Sequence, residues 1–169
     1  ESEEPLSFRV SVTSGLKASV RCEKEKICLS GQCPGRAGFP VDCEKERRVH
    51  TYPETDKEKG MTFGGRVFVW TKEGEKRAGA DYVECRGVKK AVLAVIARTS
   101  FNGCDRHPFL DGKDVEAALL EDEAGLLEQR KKSFSEVLES HVKDYRSLFG
   151  RVSFSLGEEL CEEIFPEEQ

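Results

Sequence analysis

The chain has 169 residues, 35% of which are charged, and a formal net charge of −5 at pH 7. This length suits one domain with its own hydrophobic core. The chain is close to neutral outside its acidic C-terminal residues, and no apolar run approaches the roughly 20 residues of a membrane-spanning helix, so we expect neither a nucleic-acid nor a membrane partner.

The first half of the chain shows the period of β-strands. Residues 6–13 alternate between apolar and polar side chains, which predicts a strand with one solvated face. Residues 20–22 and 27–30 predict a hairpin. Residues 31–59 are rich in Gly, Pro and charge, which predicts a long loop.

The strand pattern resumes after this loop. Residues 61–70 and 82–86 predict two further strands. Residues 91–97 form an uninterrupted apolar run bounded by turn residues, which is typical of a strand that is covered on both faces.

Two helices are predicted next. The first spans residues 114–132, with Gly125 as a weak point, and the second begins at Ser133, which can form a capping box with Glu136. Apolar residues recur through residues 134–149 at helical spacing, which predicts one buried face with His141 packed in it. Gly150 ends this helix, and the alternation in residues 151–156 predicts a half-buried strand.

The predicted fold is therefore a mainly β protein, a β-sandwich with two helices toward its C-terminal end. Residues 1–157 are expected to form one domain, with the helical segment at about residues 114–149. Residues 158–169 contain six Glu and no Lys or Arg. They predict a solvated acidic tail, or alternatively a linker to a following domain.

Seven cysteines occur, at positions 22, 28, 33, 43, 85, 104 and 161. An odd number cannot all pair, and their spacings match no C-x-x-C metal motif, so we expect reduced thiols and no metal site. This pattern favours a reducing cytoplasm over secretion. Apolar strand positions explain the cysteines most simply, and Cys22 and Cys28 could face each other across the predicted hairpin.

Three segments together resemble a known family. These are KGMTFGGRVFVW (residues 59–70), IARTSFNGCDRHPFLDGKD (residues 96–114) and SHVKDYRSLFGRVSFSLG (residues 140–157). In this order and spacing they resemble the N-terminal β domain of glycoside hydrolase family 95, the α-L-fucosidase and α-L-galactosidase family. The resemblance implies a super-sandwich fold over most of residues 6–157.

The resemblance also implies where catalysis takes place. In that family an inverting mechanism uses a Glu acid and an Asn made basic by an Asp, and these residues lie in a helical barrel that follows the β domain. No segment of this chain matches those motifs, so we expect no catalytic residue and no cofactor here. The implied partners are the helical-barrel domain of the same parent protein and, through it, an oligosaccharide substrate.

Two features remain as candidate sites. The segment between the apolar run and the first helix is a candidate domain-contact or substrate-rim loop, through Phe101, Asn102, Asp105, His107, Asp111 and Lys113. Three turn signals explain most of it, at Asn102-Gly103, His107-Pro108 and Asp111-Gly112, so a metal site is not expected. Trp70, the only tryptophan, could stack on a sugar ring.

We therefore expect a non-catalytic support domain of a fucosidase-like hydrolase. The alternative is a stand-alone carbohydrate-binding module. A module should expose a platform of aromatic rings such as Trp70, Tyr52 and Tyr82, whereas a support domain should expose an apolar patch for its missing partner, near Phe101 and Phe109 or on the outer helix faces.

Overall fold

The computed structural model describes residues 2–24, 26–38 and 49–153, and the chain divides into two compact units, Glu1–Gly125 and Leu126–Gln169. The strands are β1 Leu6–Ser11, β2 Lys17–Glu23, β3 Lys26–Gln32, β4 Arg36–Gly38, β5 Val49–Thr51, β6 Thr62–Thr71, β7 Glu75–Ala78, β8 Tyr82–Val88 and β9 Ala91–Thr99. The helices are α1 Val115–Gln129 and α2 Phe134–Phe149. None of the helices in the described residues is both long and apolar enough to cross a membrane.

Two antiparallel sheets contain most of the described strands. One has the strand order β1-β8-β7 and the other the order β2-β3-β6-β9, while β4 and β5 form a separate two-stranded sheet. The predicted fold class is thus confirmed: the protein is mainly β, a β-sandwich with two helices toward its C-terminal end. The predicted acidic tail, residues 158–169, lies outside the described residues.

The core lies between the two sheets and follows from the alternation of their strands. Ile27 and Val69 point inward from the four-stranded sheet and are fully buried. Val83, Cys85 and Val88 of β8 meet them from the three-stranded sheet. Strands present alternate side chains to opposite faces, so these apolar residues form a continuous layer that the aqueous solvent does not reach.

The N-terminal part of α1 packs on the outer face of the four-stranded sheet. Leu119 is 1% exposed and lies against Gly64, where an added Cβ would come within 2.8 Å of its Cδ1 atom. Arg66, buried in the same face, donates to the carboxylate of Glu116. Gly64 therefore lets the helix approach the sheet closely, and the ion pair provides a partner for the buried guanidinium.

Two more ion pairs hold α1 to the sheet. The guanidinium of Arg98 donates to Asp122 through two bonds of 2.5 and 2.6 Å, and this donation lowers the pKa of Asp122. Lys26 Nζ lies 2.8 Å from a carboxylate oxygen of Glu123. Asp122 and Glu123 thereby fix the helix over β9 and β3.

Three local predictions need correction. The segment 31–59 contains β4 and β5, and β7 has no counterpart in the predicted elements, because short strands give little periodicity. Residues 39–48 of that segment lie outside the described residues. Cys22 and Cys28 do not face each other: Cys22 pairs with Ile27 and Cys28 with Arg21, so the two thiols lie on opposite faces of the sheet.

The prediction that residues 91–97 form a doubly covered strand is wrong. Within the described residues, β9 pairs only with β6 and is the edge strand of its sheet. Leu93 is 52% exposed and Val95 is 68% exposed, although both belong to the face that is buried elsewhere in this sheet. The apolar run reflects a strand that the opposite three-stranded sheet leaves uncovered.

In the second unit, the predicted start of α2 is confirmed, whereas the prediction of a buried face is wrong. Ser133 and Glu136 form the predicted capping box. No residue of α2 is buried, and Phe134, Leu148 and most of its other apolar residues are exposed. His141 is exposed as well, stacked 6.4 Å from the ring of Tyr145. Residues 151–153 are irregular, and the rest of the predicted strand lies outside the described residues.

Adjacent leucines of α1 give a matched test of the helix-to-sheet contact. Leu119→Ala should lower the free energy of unfolding by about 2–5 kcal/mol, because it leaves a cavity against Gly64. Leu120, 56% exposed, is the control, and Leu120→Ala should cost less than about 1 kcal/mol with the same change in helix propensity. Urea denaturation measures both, and equal losses would contradict this packing of α1.

Candidate functional site

Residues 100–113 form one loop, the 100–113 loop, whose two ends meet at Ser100. The buried hydroxyl of Ser100 accepts the backbone N–H of Thr62 at 3.0 Å and donates to the carbonyl of Pro108 at 2.6 Å. Lys113 N–H donates to the carbonyl of Ser100 at 3.0 Å. Sequence reasoning missed Ser100, since a lone serine after a strand carries no signal of such a role. Its contacts anchor the loop to β6.

A network of turn hydrogen bonds fixes the middle of the loop. Asn102 Nδ2 donates to the carbonyl of Asp111 at 2.9 Å. The backbone N–H of Asp111 donates to the carbonyl of His107 at 2.9 Å, and the His107 N–H donates to Asp111 Oδ2 at 3.2 Å. Three candidate residues, Asn102, His107 and Asp111, are therefore brought together by the fold, and the interactions among them are those of turns.

The ring of His107 joins this loop to a second segment. Its Nδ1 atom lies 3.2 Å from the backbone nitrogen of Phe109 and 3.1 Å from that of Leu110. Its Nε2 atom lies 2.8 Å from the carbonyl oxygen of Lys57, which belongs to the 3-10 turn Asp56–Glu58. Both ring nitrogens thus have backbone partners, and His107 connects two loops that are fifty residues apart in sequence.

The remaining candidates of the loop are directed to solvent. Phe101 is half exposed, and Lys113 is exposed and tied to the loop through its backbone. Asp105 is exposed and makes only a 3.8 Å ion pair with Arg106. Among the residues that the structure describes, no group of three or more His, Cys, Asp or Glu side chains could hold a metal ion.

Trp70 lies half-buried on the outer face of the four-stranded sheet. Its ring centroid is 5.8 Å from that of Phe68, with the rings tilted by 35°. Tyr82, which belongs to β8 of the other sheet, contacts Arg9. Tyr52, which follows β5, has its ring beside Lys17. The three aromatic residues considered for sugar stacking therefore lie on different elements, each against another side chain.

Several exposed apolar residues of the first unit belong to β9 and the loop that follows it. Leu93 and Val95 of β9 are joined by Phe101 and Leu110 of the 100–113 loop, each about half exposed. Side chains of this size are normally buried in β-strands. Among the described residues, β9 also has no strand paired to its outer edge, so its apolar side chains lie beside an open sheet edge.

The five cysteines in the described residues are free thiols. Burial raises the pKa of Cys28, while the nearby charge of Arg66 lowers it in part. Burial also raises the pKa of Cys85 in the core. Cys104, in the 100–113 loop, is exposed. The fold thus separates protected thiols in the strands from an accessible thiol in the candidate loop.

No family model matches this chain, and no curated protein matches it either.

Gly112 tests how tightly the loop closes. A Cβ at this position would lie 2.5 Å from the carbonyl oxygen of Pro108 and 2.8 Å from the Cβ of Ser100. Gly112→Ala should therefore lower the free energy of unfolding by about 1–3 kcal/mol. Gly15, which has no atom within 4 Å of an added Cβ, is the control, and Gly15→Ala should change stability by less than about 1 kcal/mol. If Gly112→Ala left the free energy of unfolding in urea unchanged, the loop would have to close differently.

Thiol labelling tests the placement of the cysteines. A raised pKa leaves a smaller thiolate fraction at any given pH, so Cys28 and Cys85 should react slowly both because they are buried and because less thiolate is present. Iodoacetamide should modify Cys104 more than about tenfold faster than either residue, as measured by peptide mass spectrometry. Unfolding in urea should remove most of the difference. Native labelling of Cys28 as fast as Cys104 would argue against the described β3.

Proposed function

We propose that this chain is a non-catalytic β domain that supports the catalytic domain of a longer, fucosidase-like glycoside hydrolase. The whole protein would hydrolyse α-L-fucosyl or related glycosidic bonds with inversion. The barrel that follows the β domain would supply the acid and the base, and would bind the oligosaccharide. The chain described here would contribute stability and part of the substrate rim.

One observation carries the support role: the open, apolar β9. Leu93 and Val95 are 52% and 68% exposed on a face whose neighbouring positions form the core of the sandwich. Completing the burial of such side chains stabilises a complex by about 1 kcal/mol each at roughly 25 cal/mol per Å². A partner domain that covers β9 would therefore gain binding free energy from the burial of these side chains. The entropic cost of ordering this surface would be small, because the strand is already ordered.

The second unit supports the same role independently. The apolar residues of α2 recur at positions 134, 137, 138, 145, 148 and 149, and all are exposed. An amphipathic helix with an uncovered stripe is a surface that helices of a partner domain can pack against. Support for the particular class of enzyme comes only from the three resembling segments, which fall at residues 59–70, 96–114 and 140–157.

The alternative of a stand-alone carbohydrate-binding module draws less support from the geometry. Such a module presents flat rings to solvent in one row, so that consecutive sugars can stack. Here Trp70 is half-buried beside Phe68, and Tyr52 and Tyr82 lie on other elements.

Activity measurements test the proposed function directly. The 169-residue chain and the same chain extended through the downstream coding region are assayed on an aryl α-L-fucoside. Turnover is expected from the extended protein alone, because the resemblance puts the acid and base in the barrel. Turnover by the 169-residue chain would overturn the support role and make the 100–113 loop the first place to mutate. Inactivity of both would overturn the assignment to a fucosidase-like enzyme.

Two equally exposed leucines test the docking surface. Leu93 of β9 and Leu6 of β1 are both 52% exposed and lie in different sheets. In the extended protein, Leu93→Ser should lower the midpoint of thermal inactivation by roughly 2–4 °C more than Leu6→Ser, because only Leu93 would be covered by the partner domain. In the 169-residue chain the two variants should differ little. Equal effects in both proteins would exclude β9 as the docking strand.

A further inference from the structure

His107 has an arrangement of partners that only one form of its ring can satisfy. The backbone N–H groups of Phe109 and Leu110 can only donate, so Nδ1 must accept from them and carries no proton. The carbonyl of Lys57 can only accept, so Nε2 must carry the ring proton. The described geometry therefore requires the neutral imidazole with its proton on Nε2.

We propose that His107 is a pH-sensitive latch, which closes the turn formed by residues 107–110 of the 100–113 loop only while its ring is neutral. The bond from Nε2–H to the Lys57 carbonyl is available to both forms of the ring. When the solution is acidified, a proton from solvent adds to Nδ1 and removes the lone pair that the two backbone N–H groups share. Nδ1–H then points at two donors, and the turn around the ring must open. Among side chains, histidine is the one whose ordinary titration falls closest to neutral pH.

Charged groups around the ring carry both signs. Its own loop contributes the carboxylate of Asp111, which accepts the His107 N–H, and the exposed pair Asp105 and Arg106. The groove that it shares with the opposite segment is lined by Cys33, Glu54, Lys57, Glu58 and Lys59. Carboxylates favour the charged imidazole and amines oppose it, whereas the two N–H groups that face Nδ1 can bond only to the neutral ring.

The turn that would open on acidification includes exposed apolar surface. Phe109 lies in the latched turn, with Lys59 Nζ 4.8 Å from its ring centroid, and Leu110 follows it, half exposed. Lys59 is itself held by Asp56 at 2.6 Å. Because the bond between Nε2–H and the Lys57 carbonyl is kept, acidification would change the turn that presents Phe109 and Leu110 and not the contact with the 3-10 turn. Opening of this turn would weaken binding of a neighbouring domain to the loop at acid pH. This last consequence alone rests on the proposed function.

Hydrogen exchange on the 169-residue chain tests the latch without any activity assay. The protection factors of the Phe109 and Leu110 amides should fall roughly tenfold between about pH 7.5 and about pH 5.5. In His107→Asn the amide oxygen can replace Nδ1 as acceptor and does not titrate, so these factors should change less than about threefold. His141→Asn, which alters the exposed histidine of α2, is the control and should behave as the unmodified chain.

Nitrogen NMR of the unmodified chain provides a second readout that does not depend on any variant folding. At about pH 7.5 the His107 ring should show a protonated Nε2 and an unprotonated Nδ1. A ring with its proton on Nδ1 at that pH would overturn the latch. Equal pH responses of the Phe109 and Leu110 amides in the unmodified chain and in His107→Asn would overturn it as well.

Discussion

Strand β6, Thr62–Thr71, links the core of the sandwich to the packing of helix α1. It pairs with β3 on one side and β9 on the other, and its two faces pack against different parts of the molecule. Val69 points into the core between the sheets, while Gly64 and Arg66 receive helix α1 on the outer face. Because a strand alternates its side chains, one short segment can organise a core and a helix contact at the same time.

The inner face of the four-stranded sheet is covered unevenly, and its uncovered part is the basis of the proposed function. The three-stranded sheet covers the inner face near β3 and β6, whereas Leu93 and Val95 of β9 stay exposed. An open edge strand with apolar side chains is unfavourable for an isolated protein in water, since it exposes both unpaired backbone groups and apolar area. It is favourable when another segment of protein completes the layer, which is the reason for the proposed support role.

The candidate loop was predictable in outline and unpredictable in detail. The dipeptides Asn102-Gly103 and Asp111-Gly112 indicate turns, because their side chains and conformations suit tight reversals of the backbone. Nothing in the sequence indicates that Ser100 would anchor the loop to β6, or that His107 would reach the carbonyl of Lys57. Both interactions join positions distant in sequence, and only the folded chain brings them within hydrogen-bond distance.

The types of most elements could be predicted from the sequence, because strand alternation, helical spacing and the Ser133 capping box are local physical signals. Burial could not be predicted in the same way. The run at residues 91–97 and the stripe of α2 have the composition of buried elements, yet most of their large apolar side chains are exposed. Which apolar faces are covered depends on the other surfaces that folding brings against them, and that is a property of the whole folded chain.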